Sequence, residues 1–164
     1  MSGSTQQATP ARYWSLLQGL LERAAGYARS ILRSRHDAED AVQQAALRGL
    51  ERFSTYDAAR PFKGWWFAVL RNCCMDVLRS RRPAADAAVV EAIAAQPPGE
   101  EWEELATAIA RLAPEHGEIL RMRYFGELSY RELAAALDVP EGTVMSRLHY
   151  ARKALADELN RSER

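Results

Sequence analysis

Cysteine is almost absent from this chain, and where it occurs it does not suit cross-linking. Among 164 residues only Cys73 and Cys74 appear, adjacent in a helical stretch, where neighbouring thiols do not easily reach disulfide geometry. A disulfide-stapled secreted fold is excluded, and a reducing cytoplasmic setting is expected. No run approaches the ~18 consecutive apolar residues of a membrane span, so no membrane insertion is expected. Residues 1–10 are rich in Ser, Thr and Gln and carry no apolar run. They read as a disordered tail and not as a signal peptide. No segment shows the period-two alternation of a strand. A glycine-rich phosphate loop and a nucleophile motif are both missing, and His36, His116 and His149 have no metal spacing with one another or with the cysteines. The expectation is a non-enzyme with no metal and no cofactor.

Net charge is missing too, since 22 basic and 22 acidic side chains cancel. The distribution is uneven. Residues 1–82 carry 13 basic and 7 acidic side chains, whereas residues 83–104 carry six acids and no base. A basic N-terminal half is thus followed by an acidic connector, a pattern compatible with a nucleic-acid partner despite the neutral sum.

What is present is helical. Residues 11–34 form one helical pattern. Asp37 is placed to cap a second, with Glu39 and Asp40 in the first turn where the helix dipole favours acid. That helix extends to about Phe53, with Val42, Ala46, Leu50 and Phe53 as its buried stripe. Pro61 opens a third helix, which closes on the basic run Arg79 to Arg82. Residues 83–100 are rich in Ala, Pro and acid, with the breaker Pro97-Pro98-Gly99, and read as a linker. Helices over 101–113 and 115–125 follow, split by Pro114. The expected architecture is all-α, two small helical domains joined by a flexible linker: a tail over 1–10, a first domain over 11–82, a linker over 83–100 and a second domain over 101–160. Eighteen extended residues reach at most roughly 60 Å, on the order of 17 base pairs of duplex at ~3.4 Å each.

The second domain contains the clearest motif. Ser129 and Glu132 form a capping box ahead of a short helix. A three-residue break follows, where Asp138 can cap the next helix or take a left-handed backbone, and Pro140 suits the first turn. This is the pattern of a helix-turn-helix, whose second helix enters a DNA major groove. On a wheel of that helix, Val144, Leu148, Ala151 and Leu155 form the core stripe. Ser146, His149, Tyr150 and Lys153 face away, Thr143 lies near the start, and Met145 and Arg152 flank one side. Arg147 leans towards the core edge, where a salt bridge to Glu132 or Glu141 competes with phosphate contact. Such side chains suit base edges and phosphates; the alternative is an ordinary solvated face.

Two groups in the first domain carry a functional reading. Asp40, Gln43 and Gln44 share one exposed face at i, i+3, i+4 spacing, opposite Val42 and Leu50, and polar residues without excess base suit a protein partner. Phe62, Trp65, Trp66 and Phe67 are denser than one core stripe needs. Phe62 and Trp66 fit the core, while Trp65 and Phe67 project elsewhere and Tyr56 lies in the preceding loop. Beside Arg60, Lys63, Arg71 and Arg79, these aromatics suit stacking of unpaired bases in a basic groove.

Taken together, Asp37 to Gln44, the run Phe62, Trp65, Phe67, Val69 to Asn72, the stretch Leu112 to Glu115, and Leu128 to Glu132 through Gly142-Thr143-Val144 resemble an extracytoplasmic-function (ECF) sigma factor, over about residues 12–160. The resemblance implies sigma region two over the first domain and sigma region four over the second. It implies a factor that directs bacterial core RNA polymerase to promoters and initiates transcription. The partners so implied are core RNA polymerase (clamp helices of the largest subunit, flap of the second) and promoter DNA, with an anti-sigma factor left open. Asp40, Gln43 and Gln44 match polymerase-contacting positions. Tyr56, Phe62, Trp65 and Asn72 match the pocket for a flipped-out base of the minus-ten element, with Lys63 and Arg79 as neighbouring cations. Thr143, Met145, Ser146, Arg147, His149, Tyr150, Arg152 and Lys153 belong to the helix that would read the minus-thirty-five element. Departures from the family pattern are Gln44 in place of Glu, Met145 in place of a cation, Tyr150 in place of Arg and Asp138 in place of the turn glycine. Rival readings are a helix-turn-helix repressor or activator acting without polymerase, a sigma-like protein-interaction module, and a DNA-acting enzyme such as a recombinase, which the absence of catalytic residues disfavours.

Overall fold

The computed structural model describes residues 9–81 and 99–164; the expected tail and most of the expected linker lie outside them. Among the described residues the chain forms eight α-helices, one 3-10 turn and no strand. The helices are α1 (Pro10–Gln18), α2 (Leu21–Leu32), α3 (Arg35–Arg52), α4 (Phe62–Ser80), α5 (Glu100–Ala110), α6 (Pro114–Tyr124), α7 (Tyr130–Leu137) and α8 (Glu141–Ser162). None of them is long and apolar enough to cross a membrane.

Several local readings change. The pattern over 11–34 is two helices, parted at Gly19-Leu20, where glycine gives up helix stability cheaply. Ser34, not Asp37, caps α3, its hydroxyl accepting from the Asp37 N–H at 3.2 Å. Asp37 sits one turn inside and binds Arg81 at 2.8 Å. Residue Glu100, expected in the linker, already begins α5.

Of the expected core stripe of α3, Ala46 and Phe53 are buried as read, but smaller residues replace the other two. The buried residues of α3 are Ala38, Ala41, Ala45, Ala46 and Gly49, while Val42 and Leu50 are only half-buried. A ranking by hydrophobicity favours Val and Leu for the interior. Packing favours the small residues, which let α2 and α4 press closely against α3. Phe67, expected to project outward, is fully buried against Tyr27 and Trp66.

In the C-terminal module the capping box forms as read: the Glu132 N–H reaches the Ser129 hydroxyl at 3.2 Å and the Ser129 N–H reaches the Glu132 carboxylate at 2.8 Å. Asp138 does not cap α8. It ends α7 in the left-handed region at φ 53°, the second of the two possibilities, and Pro140 takes the N-cap of α8. Val144, Leu148, Ala151 and Leu155 are buried as the wheel required. The two modules are not separate in space. Helix α7 packs on α4, and α6 touches α2.

Candidate nucleic-acid interface

Three surfaces follow from this frame. On α3, Asp40, Gln43 and Gln44 are all exposed, and His36 Nε2 lies 3.3 Å from the Asp40 carboxylate. Val42 lies across α3 from Asp40 and Gln44. It lines a groove of about 540 Å³ with Trp14, Leu21, Gln43 and Leu47. Leu47 is 59% exposed and Trp14 43%. The polar triad is therefore the edge of an apolar surface, and large exposed apolar groups clustered in this way mark a binding site. Sequence reasoning missed Trp14, Leu21 and Leu47. The available signal was Leu47, a large apolar residue three and four positions from Gln44 and Gln43, on the supposedly polar face.

The second surface is the start of α4 and the loop before it. Tyr56, Phe53, Phe62 and Trp65 form one aromatic group, with Trp65 5.2 Å from Tyr56 and 5.7 Å from Phe62 between ring centroids. Tyr56 donates its hydroxyl to the Arg60 carbonyl at 2.6 Å, and burial raises its pKa. Phe62 is nearly buried and supports Trp65, which is half-buried at the rim. Trp65, Asn72 and Arg79 follow at seven-residue steps, so they share one face of α4; Asn72 and Arg79 are exposed. Arg79 pairs with Asp76. The Asp76 carboxyl is held below its ordinary range by hydrogen bonds from Arg48 and Arg79. Lys63 lies on another side of the helix, where it donates to the Glu127 carbonyl at 3.0 Å.

The third surface is α8. Thr143 is half-buried at its first turn, and Met145, Ser146, Arg147, His149, Tyr150, Arg152 and Lys153 are exposed. Met145 and Tyr150 are 59% and 60% accessible, and the Tyr150 ring meets His149 edge-on at 5.3 Å. Glu132 is engaged by the Ser129 N–H, and neither it nor Glu141 makes an ion pair with Arg147 among the described residues. Hydrogen bonds with the Tyr130 and Tyr124 side chains raise the pKa of the Arg152 guanidinium. This face of α8 is thus amphipathic, with the apolar surface of Met145 and Tyr150 exposed among its cations.

Cys73 and Cys74 are buried and unlinked. Burial pushes the Cys74 thiol up to about 12, so it stays protonated and unreactive at neutral pH. No cluster of potential metal ligands exists among the described residues.

The chain is similar to known proteins in the same order. Residues 16–84 match the family model described as Sigma-70 region 2, and residues 102–155 match Sigma-70, region 4. The ECF RNA polymerase sigma factor SigL of Mycobacterium tuberculosis is 35% identical over 146 residues, covering 82% of each chain. SigW of Bacillus subtilis is 27% identical over 142 residues, covering 76% of each. Among solved structures, CnrH in complex with the cytosolic domain of CnrY superposes with a TM-score of 0.71 at 24% identity, covering 93% of this chain and 90% of that one. The sigma factor RpoE of Bartonella quintana, bound to the anti-sigma factor NepR, superposes at 0.70 with 24% identity, covering 91% and 97%. These two likenesses show the fold.

Proposed function

The chain belongs to the ECF RNA polymerase sigma factors of the sigma-70 family and acts in transcription initiation, and from that premise we propose which surface does what. Region two spans 11–82 and region four 101–160, joined by the acidic connector over 83–100. The protein works in the cytoplasm and is not itself catalytic; the polymerase supplies the chemistry.

The α3 surface takes core polymerase. Asp40, Gln43 and Gln44 meet the clamp helices of the largest subunit, and the Trp14–Leu21–Leu47 groove receives an apolar face of that partner. The minus-ten surface is Tyr56, Phe62, Trp65 and Asn72, with Arg79 as the cation on the same face and Lys63 as a cation on another side of α4. The single observation that supports this best is the line Trp65–Asn72–Arg79 on one open face of α4. In this reading the three act in sequence along one unpaired strand, as stacking ring, base-edge reader and phosphate contact. Extruding a base costs a few kcal/mol, which stacking and edge hydrogen bonds can offset. The minus-thirty-five surface is Thr143, Met145, Ser146, Arg147, His149, Tyr150, Arg152 and Lys153, while region four also meets the flap of the second-largest subunit. The reading includes an anti-sigma factor as a further partner, of the class bound to the Bartonella quintana neighbour. Run-off transcription with purified core polymerase on candidate promoters tests the whole. Duplex binding without initiation on any promoter would favour a repressor or activator instead.

Two predictions arise here. Asp40→Ala combined with Gln43→Ala removes two polar contacts of roughly 1 kcal/mol each, so affinity for core polymerase should fall about 30-fold. Leu47→Asp, which puts a charge into the apolar groove, should cost about tenfold or more. Unchanged affinity in a fluorescence titration would remove the assignment.

The α8 face offers only Arg147, Arg152 and Lys153 as cations. Each neutralised phosphate contributes about −0.9 to the slope of log affinity against log salt, so the minus-thirty-five duplex should show a slope no steeper than about −3. Met145→Lys should steepen it by about one and Lys153→Ala flatten it by about one. A slope far steeper than −3 in the unmodified protein would show that other cations carry the binding.

A further inference from the structure

Two large apolar side chains on α8 contribute nothing to its packing. Met145 and Tyr150 are 59% and 60% exposed. The buried stripe of the helix is complete without them, in Val144, Leu148, Ala151 and Leu155. A lone exposed apolar residue needs no explanation. A pair flanking the outward face of the second helix of a helix-turn-helix does.

Their places are specific. With 3.6 residues per turn, Ser146 and Lys153 point directly away from the buried stripe, with Met145 to one side of them and Tyr150 to the other. Met145 lies in the second turn of α8, the N-terminal part from which such a helix contacts base edges. Tyr150 follows five residues on, about 7.5 Å along the axis, or about two base-pair steps. The polar neighbours are engaged elsewhere. Arg152, beside Met145 on the wheel, bonds with Tyr130 and Tyr124 on the α7 and α6 side. The His149 ring meets Tyr150 edge-on at 5.3 Å.

The chemistry of the groove leaves one partner for such side chains. Along the major groove the base pairs present donors, acceptors and a single apolar group, the C5 methyl of thymine. A thioether has only a weakly accepting sulfur, so Met145 has little to offer a guanine or adenine edge. Against a methyl group it removes apolar surface from water, and burying one methyl changes affinity about fourfold. The Tyr150 ring offers the same kind of contact.

We propose that Met145 and Tyr150 set promoter choice by packing on thymine methyl groups, so that the minus-thirty-five element of this protein carries a thymine against each, about two base pairs apart. The inference rests on the assignment of α8 to that element made above.

Holoenzyme reconstituted with core polymerase, on a promoter found by run-off transcription, supplies the test. Thymines of the minus-thirty-five element are replaced one at a time, on either strand, by deoxyuridine, which deletes only the methyl. A fluorescence titration then reads the affinity for each duplex. The unmodified protein should lose about threefold or more at two positions. Met145→Ala should abolish the loss at one of them and keep it at the other, and Tyr150→Ala should do the reverse. Ser146→Ala, on the outward face between them, should keep both losses. None of these substitutions threatens the fold, because all three side chains are exposed and alanine is the better helix former.

The proposal is overturned if the element holds no thymine on either strand, if uracil binds as well as thymine throughout, or if the uracil losses are unchanged in both variants. It is equally overturned if Met145→Ala and Tyr150→Ala weaken binding to core polymerase while the uracil losses persist, since the two side chains would then be protein contacts. Failure of the underlying assignment looks different. In that case no base change in the element, and no substitution over 143–153, alters the affinity for the duplex.

Discussion

Asn72→Ala should slow open-complex formation by about 5- to 150-fold while leaving affinity for a minus-thirty-five duplex unchanged. Asn72 is exposed on α4 at a seven-residue step from Trp65, and in the proposed pocket its amide reads the edge of the extruded base. A good edge contact is worth ~1–3 kcal/mol of discrimination, which sets the range. The substitution does not threaten the fold, because alanine is the better helix former on an exposed face. A loss of activity can therefore be assigned to the contact. Permanganate footprinting or a fluorescent base in the minus-ten strand would follow opening directly. Equal losses in opening and duplex binding would place Asn72 outside the pocket. Trp65→Ala should act in the same direction, since stacking is worth ~1–3 kcal/mol per base. It also loosens Tyr56 and Phe62, which pack on the indole, so Asn72 is the cleaner probe.

Trp66→Ala should destabilise region two by about 3–5 kcal/mol, the usual loss for a buried large aromatic. Against a total of ~5–15 kcal/mol for a domain, that removes about a fifth of the stability or more, and the denaturation midpoint should fall sharply. Trp66 is fully buried, and its indole N–H donates to the Tyr13 hydroxyl at 3.0 Å, which in turn donates to the Ala46 carbonyl at 2.6 Å. The chain of bonds pins α1 and α4 to α3. Gly49 leaves room for it, since a Cβ there would overlap the Tyr13 hydroxyl and lie 3.0 Å from the indole. Two effects of opposite sign meet in Gly49→Ala. Helix propensity favours alanine by roughly 1 kcal/mol, while overpacking costs ~1–3 kcal/mol and a displaced buried hydroxyl another ~1–3 kcal/mol. The clash should win, and the denaturation midpoint should fall. A midpoint that rises would mean that α1 can move aside and that the network is not a constraint.

The legible parts of the molecule are those whose cause is local. The capping box at Ser129 and Glu132 and the stripe Val144–Leu148–Ala151–Leu155 are decided within one or two helical turns and stand as read, whereas Pro114, read as the break, opens α6 after a break over 111–113. Readings failed where a neighbouring element chose. Val42 and Leu50 looked like core because they are the larger apolar groups, yet α2 and α4 press on the alanines and Val42 faces the groove. Phe67 looked surplus to one stripe because the second body it packs against, around Tyr27 and Gly126, comes from distant sequence. Asp37 was a sound cap by residue type, but Ser34 has the extended backbone that an N-cap needs.

The sequence by itself determined the all-helical class, the order of the two modules and the helix-turn-helix, because helical periodicity and capping act over a few residues. Only the tertiary structure decided that Leu47 joins Trp14 and Leu21 in one groove, that Gly49 makes room for the Tyr13–Trp66 bonds, and that Gly64 brings α7 onto α4. Each of these depends on which surfaces meet across tens of residues. A glycine or an exposed leucine carries no mark in the sequence of what will be placed against it.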